Sequence, residues 1–251
     1  MNEAQVKDEK DFFNNQTNIQ RRYGLAQLYP ENDRIGEYYE SLIAGYCGNG
    51  VKVLEYGCGE GWNAFHISQW GGHIYGIDIA DEQIGRAQKK STEMGLQEKV
   101  TFEVMDAENL TYPDNYFDVV CGTGILHHLN IERALGEIAR VLKPTGYAFF
   151  MEPLGTNPCI NFFRYLTPSY RTHGERPLRS PDLKRMQEYF NEVHYKYFDA
   201  STLLGFPFKG TSHEKKVINT LDALDQKLFC LFQPARLLAW RVVICLEKPQ
   251  H

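Results

Sequence analysis

No pair of cysteines in this chain is spaced Cys-x-x-Cys. The six cysteines stand alone at 47, 58, 121, 159, 230 and 245, so neither a zinc knuckle nor a redox dithiol is announced. Unpaired thiols of this kind suit a reducing compartment, and a cytoplasmic location is expected. No apolar run approaches the roughly 18 residues of a membrane span. The polar, acidic start MNEAQVKDEKDFF has none of the features of a signal peptide. Basic residues are not in excess: 27 Lys and Arg face 32 Asp and Glu, a net charge of −5. That balance argues against a broad nucleic-acid surface. Internal repeats and low-complexity tracts are absent too. What remains is a chain of 251 residues with 43% hydrophobic and 24% charged content, enough for one α/β domain with a full core.

The stretch VKVLEYGCGEGWNAFHI, residues 51–67, organises the rest. Val51, Val53 and Leu54 predict a buried strand. Glu55-Tyr56-Gly57-Cys58-Gly59-Glu60-Gly61 predicts a glycine turn, and Trp62 to Ile67 a helix. A backbone without Cβ atoms lets a ligand approach closely. A helix N-terminus there would favour a carboxylate or phosphate. A tight turn that merely packs helix on strand is the plain alternative. The dinucleotide pattern Gly-x-Gly-x-x-Gly fails here, because Trp62 occupies the place of its third glycine. The Gly-Lys-Ser/Thr of a P-loop is missing.

Further strand ends carry acids. HIYGIDI, residues 73–79, predicts a second strand with Asp78 at its end, 21 residues past Gly57. An acid at that place suits ribose hydroxyls, or simply caps a helix. VTFEVM, residues 100–105, predicts a third strand leading into Asp106-Ala107. YFDVVC, residues 116–121, predicts a fourth, followed by Gly122-Thr123-Gly124-Ile125-Leu126-His127-His128-Leu129. A helix over 131–143, the turn Pro144-Thr145-Gly146 and a fifth strand ending at Glu152-Pro153 come next. In a doubly wound sheet, acids at successive strand ends face one crevice.

Taken together, the acidic-x-Gly-x-Gly-x-Gly turn, Asp78, Asp106-Ala107, Phe117-Asp118-Val119-Val120, the His-His step and Lys143-Pro144-x-Gly146 resemble the class I S-adenosylmethionine-dependent methyltransferases, and their small-molecule branch in particular. The resemblance is strong over residues 33–152 and looser in the C-terminal strands. It implies a Rossmann-like seven-stranded sheet with the last strand antiparallel and helices on both faces. It also implies lids from an N-terminal segment, 1–32, and from an insertion at about 153–236 of a domain covering 33–251. The implied cofactor is S-adenosylmethionine: Glu55, Gly57, Cys58, Gly59 and Thr123 at its methionine end, Asp78 and Ile79 at the ribose, Asp106 and Ala107 at the adenine.

The implied reaction moves a methyl group to an O or N atom of a small-molecule acceptor, either a natural product or a lipophilic compound. His128 is the first candidate base, since imidazole titrates near neutral pH; His127 and Glu152 stand behind it, and Glu152 could instead orient a histidine or bind a substrate amine. No metal is expected. Rival readings are a non-catalytic S-adenosylmethionine-binding subunit, a peptide or protein methyltransferase, and a nicotinamide-dependent oxidoreductase.

The remainder is less readable. Residues 1–11 look frayed. Residues 12–30, with Phe12, Phe13, Tyr23, Leu25, Leu28 and Tyr29, read as an amphipathic patch on the core or as an aromatic lid. Residues 153–180 read as a long irregular insertion holding Asn157, Asn161, Arg164, Tyr170, His173, Glu175 and Arg176. The apolar stretch 201–236 reads first as core helices, then as a pocket for a greasy acceptor, then as a weak peripheral membrane contact. Oligomeric state is not legible.

Overall fold

The computed structural model describes residues 3–26, 32–172 and 174–250. Leu28, Tyr29 and His173, and the side chains of Tyr23 and Leu25, lie outside what is described. In chain order the elements are α1 (Glu3–Asn14), α2 (Gln16–Ala26), α3 (Asp33–Ala44), β1 (Lys52–Tyr56), α4 (Trp62–Ile67), β2 (His73–Asp78), α5 (Asp81–Glu93), β3 (Val100–Val104), β4 (Phe117–Thr123), α6 (Ile131–Val141), β5 (Leu142–Pro153), α7 (Pro158–Leu166), α8 (Ser180–Arg185), β6 (Phe190–Phe198), α9 (Glu214–Leu231) and β7 (Arg241–Pro249).

The strands form one seven-stranded sheet in the order β3-β2-β1-β4-β5-β7-β6. The first five run parallel, and β7 runs antiparallel to both β5 and β6. This is the Rossmann-like α/β sheet with its last strand reversed. Successive strand residues point to opposite faces, so each apolar strand feeds two cores. Val53, Val119 and Phe149 join Ile35, Tyr39, Ile43 and Phe65 on one side. Leu54, Val120 and Phe150 join Leu135, Ile138 and Phe229 on the other. Burying a side chain such as Phe150 this completely contributes about 2–3 kcal/mol.

The order reverses at β1 and β4: β2 and β3 lie to one side, β5 to the other. Connections leave in opposite directions there, which opens a crevice at the carboxyl ends of the strands. The turn after β1 is cramped. Gly61 has φ +80°, and a Cβ on it would lie 2.4 Å from the Phe102 ring. Only glycine meets both conditions.

Three expectations need correction. Residues 3–11 are not frayed but lie in α1, with Glu9 only 3% exposed. The insertion after β5 is not irregular at its start: Asn157 accepts hydrogen bonds from the N–H groups of Cys159 and Ile160 and caps α7, with Pro158 at its first position. Finally, α9 is not a core helix: Ile218 and Phe229 are buried, whereas Leu224, Leu228 and Leu231 are exposed. Among the described residues no helix is long and apolar enough to cross a membrane.

Candidate active site

A cavity of about 470 Å³ lies over the carboxyl ends of β1, β2, β3 and β4. Glu55, Gly57, Cys58, Gly59, Asp78, Ile79, Asp106, Ala107 and Thr123 all line it, as does His128. His127 and Glu152 do not belong to its lining. Glu9, Phe13 and Ile19 of the N-terminal helices complete its wall, with Trp62, Asn63 and Gln83. Glu9, Ile19 and Gln83 were not singled out from the sequence. They sit on amphipathic helices, where a polar residue reads as solvent-facing.

The glycine turn is held from within. Cys58 N–H donates to the Ile77 carbonyl at 2.9 Å, and Gly61 N–H to the Cys58 carbonyl at 2.9 Å. Gly59 N–H donates to Asp78 Oδ2 at 2.9 Å. These three donors are therefore spent within the protein. The buried polar handle at the turn is a carboxyl group. Glu55 is 2% exposed. Its Oε1 accepts from Asn63 Nδ2 at 2.8 Å, while Oε2 has no hydrogen-bond partner among the described residues. Burial pushes its carboxyl up to about 8, against the Asn63 hydrogen bond and the Ala64 N–H. A buried acceptor in want of a partner fits a cationic ligand group such as an ammonium.

Asp78 joins the turn to the next strand. Its Oδ1 accepts from Ala80 N–H at 2.9 Å, opposite the bond to Gly59. Burial raises its carboxyl above the usual range, and the two N–H groups oppose that. A carboxylate has roughly four acceptor positions, so capacity remains for hydroxyl donors. Asp106 spends Oδ1 on Glu108 N–H at 2.8 Å, which shapes the turn that presents Ala107. Both aspartates thus also hold backbone, although neither caps a helix: the N-cap residue of α5 is Ala80.

The two histidines face different partners. Glu152 Oε1 accepts from the N–H groups of Ile125 and Leu126 at 2.9 and 2.8 Å. Its Oε2 lies 2.7 Å from His127 Nδ1. Burial raises Glu152 to about 7, opposed by the Leu126 and Ile125 N–H groups. Glu152 therefore orders the segment after β4 and fixes the His127 ring. His128 reaches back to α1, with Nδ1 3.1 Å from Glu9 Oε2. Its Nε2 has no hydrogen-bond partner among the described residues. His127, His128 and Glu175 also offer ligand atoms within 4.8 Å of one another, although the sequence carries no metal motif. Ligands around a tetrahedral zinc stand roughly 3.4 Å apart, given bonds of about 2.1 Å, whereas His127 Nε2 and Glu175 Oε1 are 3.8 Å apart.

Comparison with known proteins bears on this cavity. Residues 54–150, from β1 to β5, match the family model described as a methyltransferase domain. The chain carries a class I S-adenosylmethionine-dependent methyltransferase domain. A sterol 24-C-methyltransferase of Gibberella zeae is 34% identical over 149 residues, 55% of this chain and 39% of that protein. The 27-O-demethylrifamycin SV methyltransferase of Amycolatopsis mediterranei is 35% identical over 99 residues, 39% of this chain and 36% of that one. The chain thus spans less than half the length of these two relatives. Among solved structures, a geranyl diphosphate methyltransferase in complex with geranyl diphosphate and sinefungin superposes with a TM-score of 0.68 at 13% identity, covering 98% of this chain and 99% of the other. That likeness is one of fold. The two sequence relatives are named for carbon and oxygen transfer respectively, so the methyltransferase domain does not by itself select the acceptor atom.

Proposed function

We propose that this protein transfers the methyl group of S-adenosylmethionine to an oxygen or nitrogen atom of a small, lipophilic acceptor. The observation that carries the reading is the convergence of Glu55, Asp78 and Asp106, from the ends of three strands, on one cavity. The residues present fit the cofactor. Glu55 Oε2 would take the ammonium of the amino-acid tail beside Gly57, Cys58, Gly59 and Thr123. Asp78, with Ile79 alongside, would take the ribose hydroxyls, and Asp106 with Ala107 the adenine edge. When bound, S-adenosylmethionine supplies a sulfonium methyl open to in-line attack.

The protein then supplies alignment and a dry site. Alignment alone is worth effective molarities on the order of 10⁵ M or more. His128 lines the cavity and holds a basic Nε2 toward the acceptor side, where it takes the proton from an O–H or N–H as the new bond to carbon forms. Such a base contributes roughly 10²–10⁴-fold. Residues 1–32 serve as a lid over the cofactor. Residues 153–236 would shape the acceptor side from outside the cavity lining, and the Phe162, Tyr165, Leu204 and Phe206 that they expose offer apolar surface for such a compound. Six free thiols fit a reducing, cytoplasmic setting.

The test is turnover of S-adenosylmethionine to S-adenosylhomocysteine against a panel of phenol, alcohol, amine and isoprenoid acceptors, with calorimetry of S-adenosylhomocysteine binding alongside. Binding with turnover on at least one acceptor is expected. His128→Ala should lower that turnover at least tenfold with cofactor affinity retained. Absence of binding would remove the methyltransferase reading; full activity in His128→Ala would remove the base.

A further inference from the structure

Glu9 is a buried acid on a helix that the sequence marks as charged and solvated. It is 3% exposed, and it contacts segments more than a hundred residues away. Its carboxylate meets His128 Nδ1, at 3.1 Å from Oε2 and 3.3 Å from Oε1. Thr172 Oγ1, in the insertion after β5, donates to its Oε1 at 2.5 Å. Phe13, one turn further along α1, sets its ring edge-on to His128 at 5.5 Å between centroids. Three parts of the chain thus meet at one carboxylate: the N-terminal helix, the step after β4 and the acceptor-side insertion.

We propose that Glu9 is the positioning residue of His128, so that the base is complete only while α1 lies over the cavity. This rests on the assignment of His128 as the base. A carboxylate accepts and does not donate. Pairing with it places the imidazole proton on Nδ1 and leaves Nε2 as the basic nitrogen. A ring without that partner is free to carry its proton on Nε2, where it could not accept one from the acceptor. Glu9 also fixes the ring plane, as the partner of a general base must.

The placement of Glu9 on α1 gives the contact its second consequence. The helix is fastened at its far end to α5: Asn14 Nδ2 donates to Asp81 Oδ1 at 2.8 Å, Glu82 N–H donates to Asn14 Oδ1 at 3.1 Å, and Lys10 Nζ lies 3.2 Å from Asp81 Oδ2. Gln83, beside the glycine turn, donates to the Phe13 carbonyl at 3.0 Å. Through Glu9, Phe13 and Ile19 the N-terminal helices form part of the cavity wall. The docking of α1 against that cavity therefore brings Glu9 to His128 and sets the proton on the correct nitrogen.

The experiment is nitrogen NMR of the full-length protein labelled with ¹⁵N-histidine and saturated with S-adenosylhomocysteine, with the His128 signals identified by their loss in His128→Ala. The wild type should show Nδ1 protonated and Nε2 bare. Glu9→Ala, and Glu9→Met, which keeps the size of the side chain, should shift His128 at least half-way to the Nε2-protonated form. Amide exchange across residues 3–14 should quicken at least threefold in both. Thr172→Val, which leaves the carboxylate in place, should keep the wild-type ring form. The proposal falls if the wild type carries its proton on Nε2, if neither Glu9 variant changes the ring, or if Thr172→Val changes it equally. Failure of S-adenosylhomocysteine to bind the wild type would instead sink the underlying methyltransferase reading.

Discussion

The two ends of this chain's sheet are built on opposite principles. From β1 to β4, apolar side chains are inside and the polar ones that are buried converge on one crevice. From residue 162 to 238, many large apolar side chains face outward beside the buried ones: among the described residues, twelve of the sixteen exposed large hydrophobic side chains lie there, among them Tyr165 at 80% and Leu231 at 86%. The first region is shaped by its own backbone, with Gly59, Asp78 and Ala80 locked together. The second presents apolar side chains at its surface. In the proposed function the cofactor uses the former and the acceptor the latter.

That contrast can be broken most sharply at Gly61. Gly61→Ala adds a Cβ at positive φ against Phe102 and should cost about 3 kcal/mol, from backbone strain and overpacking together. Denaturant titration reads it, and a loss below 1 kcal/mol would mean that the turn is not rigid.

Next comes Glu55. Its folded value of about 8 lies above the ordinary carboxyl value of 4.5 because of burial. Between those values the folded protein holds a proton that the unfolded chain has released, so the ligand-free protein loses stability as pH rises. A ligand ammonium favours the ionised form, so S-adenosylhomocysteine should bind more tightly by roughly tenfold or more from pH 6 to pH 8, with release of a proton. Glu55→Gln should flatten both trends. Calorimetry in buffers of different ionisation heat decides, and an unchanged slope in the variant would detach Glu55 from the ligand.

Asp78→Ala should weaken S-adenosylhomocysteine binding about tenfold, or 1.4 kcal/mol, since it removes both a candidate ribose acceptor and the tie to Gly59. Equal affinity would clear Asp78 of any role in the site. The smallest effect belongs to the other region. Leu231→Ser should shift stability by no more than about 0.5 kcal/mol, as expected of an exposed residue. A drop beyond 1 kcal/mol on thermal melting would show that the face of α9 is covered in solution.

The same contrast explains what could be read in advance. Parallel strands buried on both faces leave few places for an acid, so Glu55, Asp78 and Asp106 stood out at strand ends. All three line the cavity. Glu9 could not stand out, because nothing local separates a buried acid on a charged helix from a solvated one, and its partner is 119 positions away. The role of Glu152 was half legible: its place at the end of β5 and a partnership with a histidine were within reach, but that the histidine is His127, and that two backbone N–H groups share the carboxylate, depends on how the chain turns after β4. Helix α7 carried a signal in plain view, Asn157 followed by Pro158, the pairing of a cap with a first-turn proline. The direction in which α9 turns its leucines has no such mark.

The docked N-terminal helix described above has a bearing on speed. A helix tied to α5 by Asn14 and Lys10 and to His128 by Glu9 has to break both sets of contacts to move off the cavity it helps to wall. If spent cofactor leaves by that route, each fastening that steadies the site also slows the departure, and loosening one would trade order for speed.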